Sequence, residues 1–182
     1  MSDGSGSSGA ISLDRWTVTA GSNVNRRAAV VIRAGGHDWK ASTEGNGAVD
    51  ALLKAVDRAL ADVLGGHPQL LSYDVHALGE GPGAEGRVRL LIAPPPGSPG
   101  DRAQGRFTGE ASSTNTVASS VEAYISALNR MLESGPWAAA TAQAAEVMAA
   151  RLRARGAVEG TSQPAEFDDE AQSLDLNDLF NR

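Results

Sequence analysis

The sequence predicts an α+β fold in which a βββα unit occurs twice, followed by an extra C-terminal helix and a disordered tail. Three strand-like segments precede an amphipathic helix in the first half of the chain, and the same order returns in the second half. The two helices also align at a constant offset of 68 residues, matching Val49 to Val117, Leu60 to Leu128 and Leu64 to Leu132. The shared element order favours a duplication over a chance alignment of two amphipathic helices.

The first unit spans residues 11–66. ISLDRWTVTA, NRRAAVVIRA and HDWKAS read as strands, and the alternation changes between Leu13 and Trp16, which predicts a bulge. The following helix carries apolar residues at steps of three and four from Val49 to Leu64, and Gly65-Gly66 ends it. The positions that fall off this stripe are Asp50, Lys54, Asp57, Arg58 and Asp62.

The second unit spans residues 69–134. LLSYDVHAL and GRVRLLIA alternate in the manner of strands, residues 101–112 form a third, less apolar strand, and a helix starts near Asn115. The glycine-rich stretch 79–86 lies between two strands rather than before a helix, so it predicts a hairpin loop and not a phosphate loop.

The segments outside the duplication have a different composition. Residues 1–10 read as a disordered Gly/Ser leader, 137–155 as an alanine-rich helix and 156–182 as a flexible acidic tail. Near the end of this tail three apolar residues share one helix face, namely Leu176, Leu179 and Phe180. This short amphipathic end predicts either docking into a protein partner's groove or a frayed terminus with scattered leucines.

Composition excludes several classes of function. The net charge is −6 and the pI about 5.0, which argues against nucleic-acid binding. There is no cysteine, and His37, His67 and His76 lack metal-ligand spacing, so we expect neither a metal nor another cofactor. No apolar run is long enough for a membrane span and no signal peptide is recognisable, so a cytoplasmic protein is expected.

The stretch GNGAVDALLKAVDRAL (45–60) has two interpretations from the residues alone. Glycine and asparagine tolerate the dihedral angles of a tight strand–helix turn. Alternatively, the bare N–H groups at the helix start form an anion site.

Two longer motifs resemble a known family. TEGNGAVDALLKAVDRAL (43–60) is similar to its GNGPVDA turn and helix, and FTGEASSTNTVASSVEAYISALNRML (107–132) is similar to its second strand, turn and helix. LDRWTVTAG (13–21) and LLSYDVHALGEGPGAEGRVRL (70–90) fit in the same order. Residues 11–134 thus resemble the C-terminal regulatory (dimerisation) domain of 2-isopropylmalate synthase and citramalate synthase, a LeuA-type domain.

The resemblance implies a homodimer that binds leucine or isoleucine at the dimer interface and regulates an enzyme. It implies that the ligand is bound by Gly45, Asn46, Gly47, Ala48, Val49, Asp50, Tyr73 and Ala77. The N–H groups of residues 47–50 would hold the α-carboxylate and Asp50 the α-ammonium, and a pocket of Val49, Tyr73 and Ala77 would take the side chain. In the second unit it implies a helix cap at Thr114, Asn115 and Thr116. The alternative for Tyr73 is a plain core residue.

Three departures from the family pattern affect these expectations. Ala48 replaces a proline, Asn115 an aspartate and Ala118 a glutamate. The family's catalytic barrel requires about 250 residues, and only a linker precedes residue 11, so we expect no catalytic activity. Two functions remain open: a stand-alone sensor of a branched-chain amino acid that acts in trans, or a ligand-free dimeric scaffold that recruits a partner through its tail.

Overall fold

The computed structural model describes residues 10–34, 36–98, 105–137 and 139–156. The first repeat contains three strands and two consecutive helices, in the order β1 (Ser12–Thr19), β2 (Arg27–Ala34), β3 (His37–Glu44), α1 (Ala48–Ala59) and α2 (Ala61–Leu64). The second repeat contains β4 (Gln69–Ala77), β5 (Gly86–Ala93), β6 (Phe107–Ser113) and α3 (Thr116–Glu133). A short 3-10 turn (Gly135–Trp137) leads into α4 (Ala140–Gly156).

Each repeat forms its own antiparallel sheet with the middle strand in the centre. The orders are β1-β2-β3 and β4-β5-β6, which confirms the predicted α+β fold with duplicated βββα units. Pairing of β1 with β2 shifts register between Leu13 and Arg15, where the sequence predicts a bulge, and β4 has an equivalent irregularity between Leu70 and Ser72. The loop between β4 and β5 closes as a hairpin, with Leu78 N–H donating to Glu85 O at 2.8 Å.

The core lies between the sheets and the helices. Alternate residues of the central strands point inward and are fully buried, among them Val30 and Ile32 in β2 and Leu90 and Ile92 in β5. α1 packs on β2 and β3, α3 packs on β5 and β6, and the two helices contact each other. One continuous cluster of apolar side chains therefore joins the two repeats.

The helix of the first repeat does not run unbroken to Leu64, contrary to the continuous apolar stripe in the sequence. Leu60 has φ −97° and ψ 15°, which separates α1 from α2. Gly65 then adopts a left-handed conformation, φ 64°, and ends the helical segment as its sequence position predicts.

The edge strands of the two repeats differ in burial. β1 is partly covered by α3, because Leu13, Trp16 and Val18 pack against the core and Asn129 exchanges two 2.8 Å hydrogen bonds with the backbone of Ile11. In contrast, every residue of β4 is exposed. The duplication is therefore not symmetric in what covers its outer strands.

The C-terminal helix packs through small residues. Ala144 and Ala145 are buried, whereas Val147 and Leu152 are about half exposed, and Arg151 pairs with Asp62 of α2 at 2.9 Å. Within the described ranges, none of the helices has both the length and the apolar character needed to span a bilayer. The predicted tail segment with Leu176, Leu179 and Phe180 lies outside the described residues.

Candidate functional site

The turn before α1 uses its two glycines for different reasons. A Cβ atom on Gly45 would lie 2.5 Å from the backbone nitrogen of Ala51, so only glycine lets the turn pack this closely on the helix. Gly47 is the N-cap residue with φ −161°, an extended conformation open to any residue, and a Cβ there would meet nothing within 4 Å. Neither glycine has a positive φ, so the tight turn depends on close packing at Gly45 and not on a left-handed conformation.

The start of α1 has no side-chain cap. The N-cap Gly47 cannot supply one, and its carbonyl accepts only the N–H of Ala51, at 3.0 Å. Ala48, Val49 and Asp50 form the first turn. Their N–H groups have no intrahelical acceptor, and the carboxylate of Asp50 lies in the same turn at the positive end of the helix dipole.

Asp50 already has partners within its own turn. Its Oδ2 atom accepts hydrogen bonds from Lys54 Nζ and from the backbone N–H of Asn46, both at 2.8 Å. The hydrogen bond from Lys54 and that from Asn46 lower the pKa of Asp50 below its ordinary value. Asp50 therefore closes the turn as an ionised carboxylate at neutral pH.

The start of α3 is capped, in contrast to that of α1. The side chain of Asn115 accepts from the N–H groups of Val117 and Ala118, at 3.0 and 3.2 Å. Ser113 Oγ supports the cap by accepting from the N–H of Asn115. Thr116 begins the helix and Thr114 is exposed in the turn before it. Asn115 thus supplies, as an amide, the cap expected in the second repeat.

Tyr73 and Ala77 lie on β4 beside the start of α3. Tyr73 is 37% exposed and its hydroxyl group lies 2.7 Å from Ser120 Oγ, so its interpretation as plain core is wrong. Ala77 pairs with Gly86 on β5, and a Cβ on Gly86 would contact Thr116. Among the described residues, no hydrogen bond or ion pair connects Tyr73 and Ala77 with Gly45–Asp50.

An apolar surface surrounds Tyr73. Four further large apolar side chains of this edge strand and the residue after it are 44–46% exposed, and we call them together with Tyr73 the β4 surface: Leu70, Leu71, Tyr73, Val75 and Leu78. A contiguous patch of exposed apolar side chains on an edge strand is typical of an interaction surface. The sequence predicts the strand but not its exposure.

A buried polar cluster, which the sequence pattern does not predict, lies at the junction of the repeats. Asp57 of α1 is only 7% exposed, although it falls off the apolar stripe of the helix. Its Oδ1 atom accepts from the Tyr124 hydroxyl at 2.5 Å, and its Oδ2 lies 3.4 Å from His67 Nδ1. Burial raises the pKa of Asp57 to about 6, against the hydrogen bonds from Tyr124 and His67, which lower it.

The alignment of the two repeats contains a signal that could have predicted the burial of Asp57 and Tyr124. At the offset of 68 residues, Asp57 aligns with Ile125 and Tyr124 aligns with Val56, and both aligned partners are apolar and buried.

The cluster borders a cleft of about 710 Å³ lined by Thr43, Glu44, Lys54, Asp57, Arg58, Ala61 and His67. The described ranges contain no group of three or more side chains placed to hold a metal ion.

Comparison with known proteins agrees with this architecture. The chain is 34% identical to the 2-isopropylmalate synthase of Dechloromonas aromatica over 105 residues, which are 58% of this chain and 18% of that protein. It is 34% identical to the 2-isopropylmalate synthase of Aquifex aeolicus over 117 residues, 64% of this chain and 20% of that protein. The same-named protein of Picosynechococcus sp. is also 34% identical, over 121 residues, 65% of this chain and 20% of its own.

The chain thus spans about a fifth of the length of these curated relatives. The family profile described as the LeuA allosteric (dimerisation) domain matches residues 3–132, which contain both repeats. The match covers a regulatory domain and no catalytic domain. This chain belongs to the LeuA allosteric (dimerisation) domain family.

Proposed function

We propose that this domain is a non-catalytic homodimeric regulator that binds a branched-chain amino acid, leucine or isoleucine, and acts in trans on a partner protein. The observation that carries this proposal is the difference between the two helix starts. Asn115 caps α3, whereas α1 begins at Gly47 with no side-chain cap and with open space around it. An uncapped helix start with free N–H groups suits an α-carboxylate.

The β4 surface is the proposed interface with the second copy. Membership of a dimerisation-domain family supports self-association, and a second copy would remove Leu70, Val75 and their neighbours from water. Within one chain these side chains remain in contact with solvent. A ligand side chain beside Tyr73 would be shielded from water only after the second copy has docked.

The same surface offers contacts for a branched aliphatic side chain. Tyr73, Val75 and Ala77 lie at alternate positions of β4, opposite the inward-facing residues of β5, so they share one face. Burying a leucine-sized side chain there would contribute about 1.5–3 kcal/mol. One methylene changes affinity by about 1–3 kcal/mol, so leucine, isoleucine and valine all need testing.

A second candidate function, a ligand-free dimeric scaffold, has support of its own at Asp50. The carboxylate proposed to bind the α-ammonium already accepts bonds from Lys54 and Asn46 through Oδ2. A scaffold would keep the dimer and recruit its partner through the C-terminal residues Leu176, Leu179 and Phe180. The two functions differ in whether any amino acid binds.

Calorimetric titration with leucine, isoleucine and valine separates the two functions. A side chain at position 47 has room in the folded protein but would project at the helix start, so Gly47→Val should fold and lose binding. Gly83→Val is the matched control, because a Cβ at Gly83 also meets nothing within 4 Å and its φ is not positive. Saturable binding by wild type and by Gly83→Val, but not by Gly47→Val, supports the sensor. Absence of binding of all three amino acids to wild type would leave the scaffold.

A further inference from the structure

The two repeats are joined at a pair of buried polar side chains, one from each repeat. Asp57 belongs to α1 and Tyr124 to α3, and they are 7% and 2% exposed. The Tyr124 hydroxyl donates to Asp57 Oδ1 at 2.5 Å, across 67 residues of sequence. This contact therefore fixes one repeat's helix against the other's through a group that can lose a proton.

The other carboxyl oxygen of Asp57, Oδ2, faces the cleft, and nearby positive groups offset its negative charge only weakly. Its contact with His67 Nδ1 is long, 3.4 Å, and the His67 side chain is 77% exposed. Two cations of α1 line the same cleft but are bonded elsewhere, Lys54 to Asp50 and Arg58 to the carbonyl oxygen of Ser42. Glu44 of β3, which also lines the cleft, adds negative charge nearby.

We propose that the Asp57–Tyr124 contact makes the packing of the two repeats responsive to pH: in mild acid Asp57 is protonated while the junction is closed and loses its proton when the junction opens towards the cleft. This device goes beyond amino-acid binding and requires no ligand. It gives the buried carboxyl a role in how the repeats move, because separation of α1 from α3 exposes Asp57 to water.

The direction of the pH effect follows from the environment of the carboxyl group. Burial raises the pKa of Asp57 from 3.8 to about 6 in the closed protein. An acid whose pKa is raised on closing stabilises the closed form while it is protonated, and this stabilisation is lost as the pH rises from about 4 through about 6. Opening should therefore be rarest in mild acid and more frequent at neutral pH.

Hydrogen exchange of the full chain, followed by mass spectrometry between about pH 4 and pH 8, tests the proposal. After correction for the intrinsic pH dependence of exchange, opening at α1 and α3 should increase about 10- to 100-fold over this range. Asp57→Asn should remove the increase. Asp62→Asn, which changes an exposed aspartate only five residues away, should keep it.

Two further measurements keep the test decisive if Asp57→Asn does not fold. Tyr124→Phe removes a donor that favours the ionised carboxylate, so it should move the transition to higher pH. Carbon NMR of the Asp57 carboxyl in the wild-type protein should show titration near pH 6. Titration near the ordinary aspartate value, or exchange that changes equally in wild type and Asp57→Asn, would overturn the proposal.

Discussion

At the scale of single residues, two glycines of this domain are required for space, because a Cβ at Gly45 or at Gly109 would overlap backbone atoms of the following helix. Gly109 on β6 is the tightest case, because a Cβ there would overlap the carbonyl oxygen of Ala123 and lie 2.7 Å from Ala127 N. The absence of a side chain at this position lets α3 lie directly on β6. The backbone atoms that surround it belong to the helix and cannot rotate away.

Gly109→Ala is accordingly expected to destabilise the fold by about 3 kcal/mol, because the added methyl group forces α3 away from the sheet. The free energy of unfolding in urea measures this effect. Gly83→Ala, at an open turn position, should change it by less than about 0.5 kcal/mol. Equal stability of the two variants would show that α3 does not pack against β6 as described.

The sequence predicts the burial of individual polar side chains less well than it predicts strands and helices. Helical periodicity places Asp57 off the apolar stripe, yet α3 covers that flank of α1 and buries it. The pattern along one helix records the contacts with its own sheet and not those with a second helix. The motif GNG likewise marks a helix start, but it does not show that Gly45 is needed for space and that Gly47 is not. That difference depends on how closely the turn packs on the helix.

At the scale of elements, the two repeats begin their helices differently, and local sequence accounts for the difference. Asn115 has a side-chain oxygen that reaches the N–H groups of the next turn, whereas Gly47 has no side chain. Strand and helix positions were predictable because alternation of period 2 and stripes of period 3.6 are local signals. The break between α1 and α2 at Leu60 was not predictable, because the apolar stripe continues through this position.

Removing the cap of α3 tests this description. Asn115→Ala should lower the free energy of unfolding by about 1 kcal/mol, because two N–H groups lose their acceptor. Asn46→Ala serves as its control in the first repeat, because Asn46 contributes only its backbone N–H to the turn. A larger loss of stability for Asn46→Ala than for Asn115→Ala would contradict the assignment of the caps.

At the scale of the whole molecule, the informative feature is an asymmetry in the duplication. α3 partly covers β1, the first edge strand of the first repeat, while β4, the equivalent strand of the second repeat, presents the β4 surface to solvent. The sequence of β4 alternates as that of a half-buried strand, so periodicity predicts the strand and not its missing cover. In the proposed dimer a second copy covers β4, and no pattern within one chain records such a contact.

In the proposed dimer this surface joins two copies and an amino acid binds where they meet. Sedimentation equilibrium with and without saturating leucine, repeated with isoleucine and valine, tests both parts of this proposal, since a ligand bound at an interface strengthens association. Val75→Glu and Val147→Glu form a matched pair, because the two valines are 44% and 48% exposed on β4 and α4.

We expect a wild-type dimer whose dissociation constant falls on addition of at least one of the three amino acids. Val147→Glu should behave like wild type. Val75→Glu should remain folded by circular dichroism and should sediment as a monomer. A Val75→Glu dimer as strong as the wild type would contradict the interface. A wild-type dimer insensitive to all three amino acids would contradict binding between the copies.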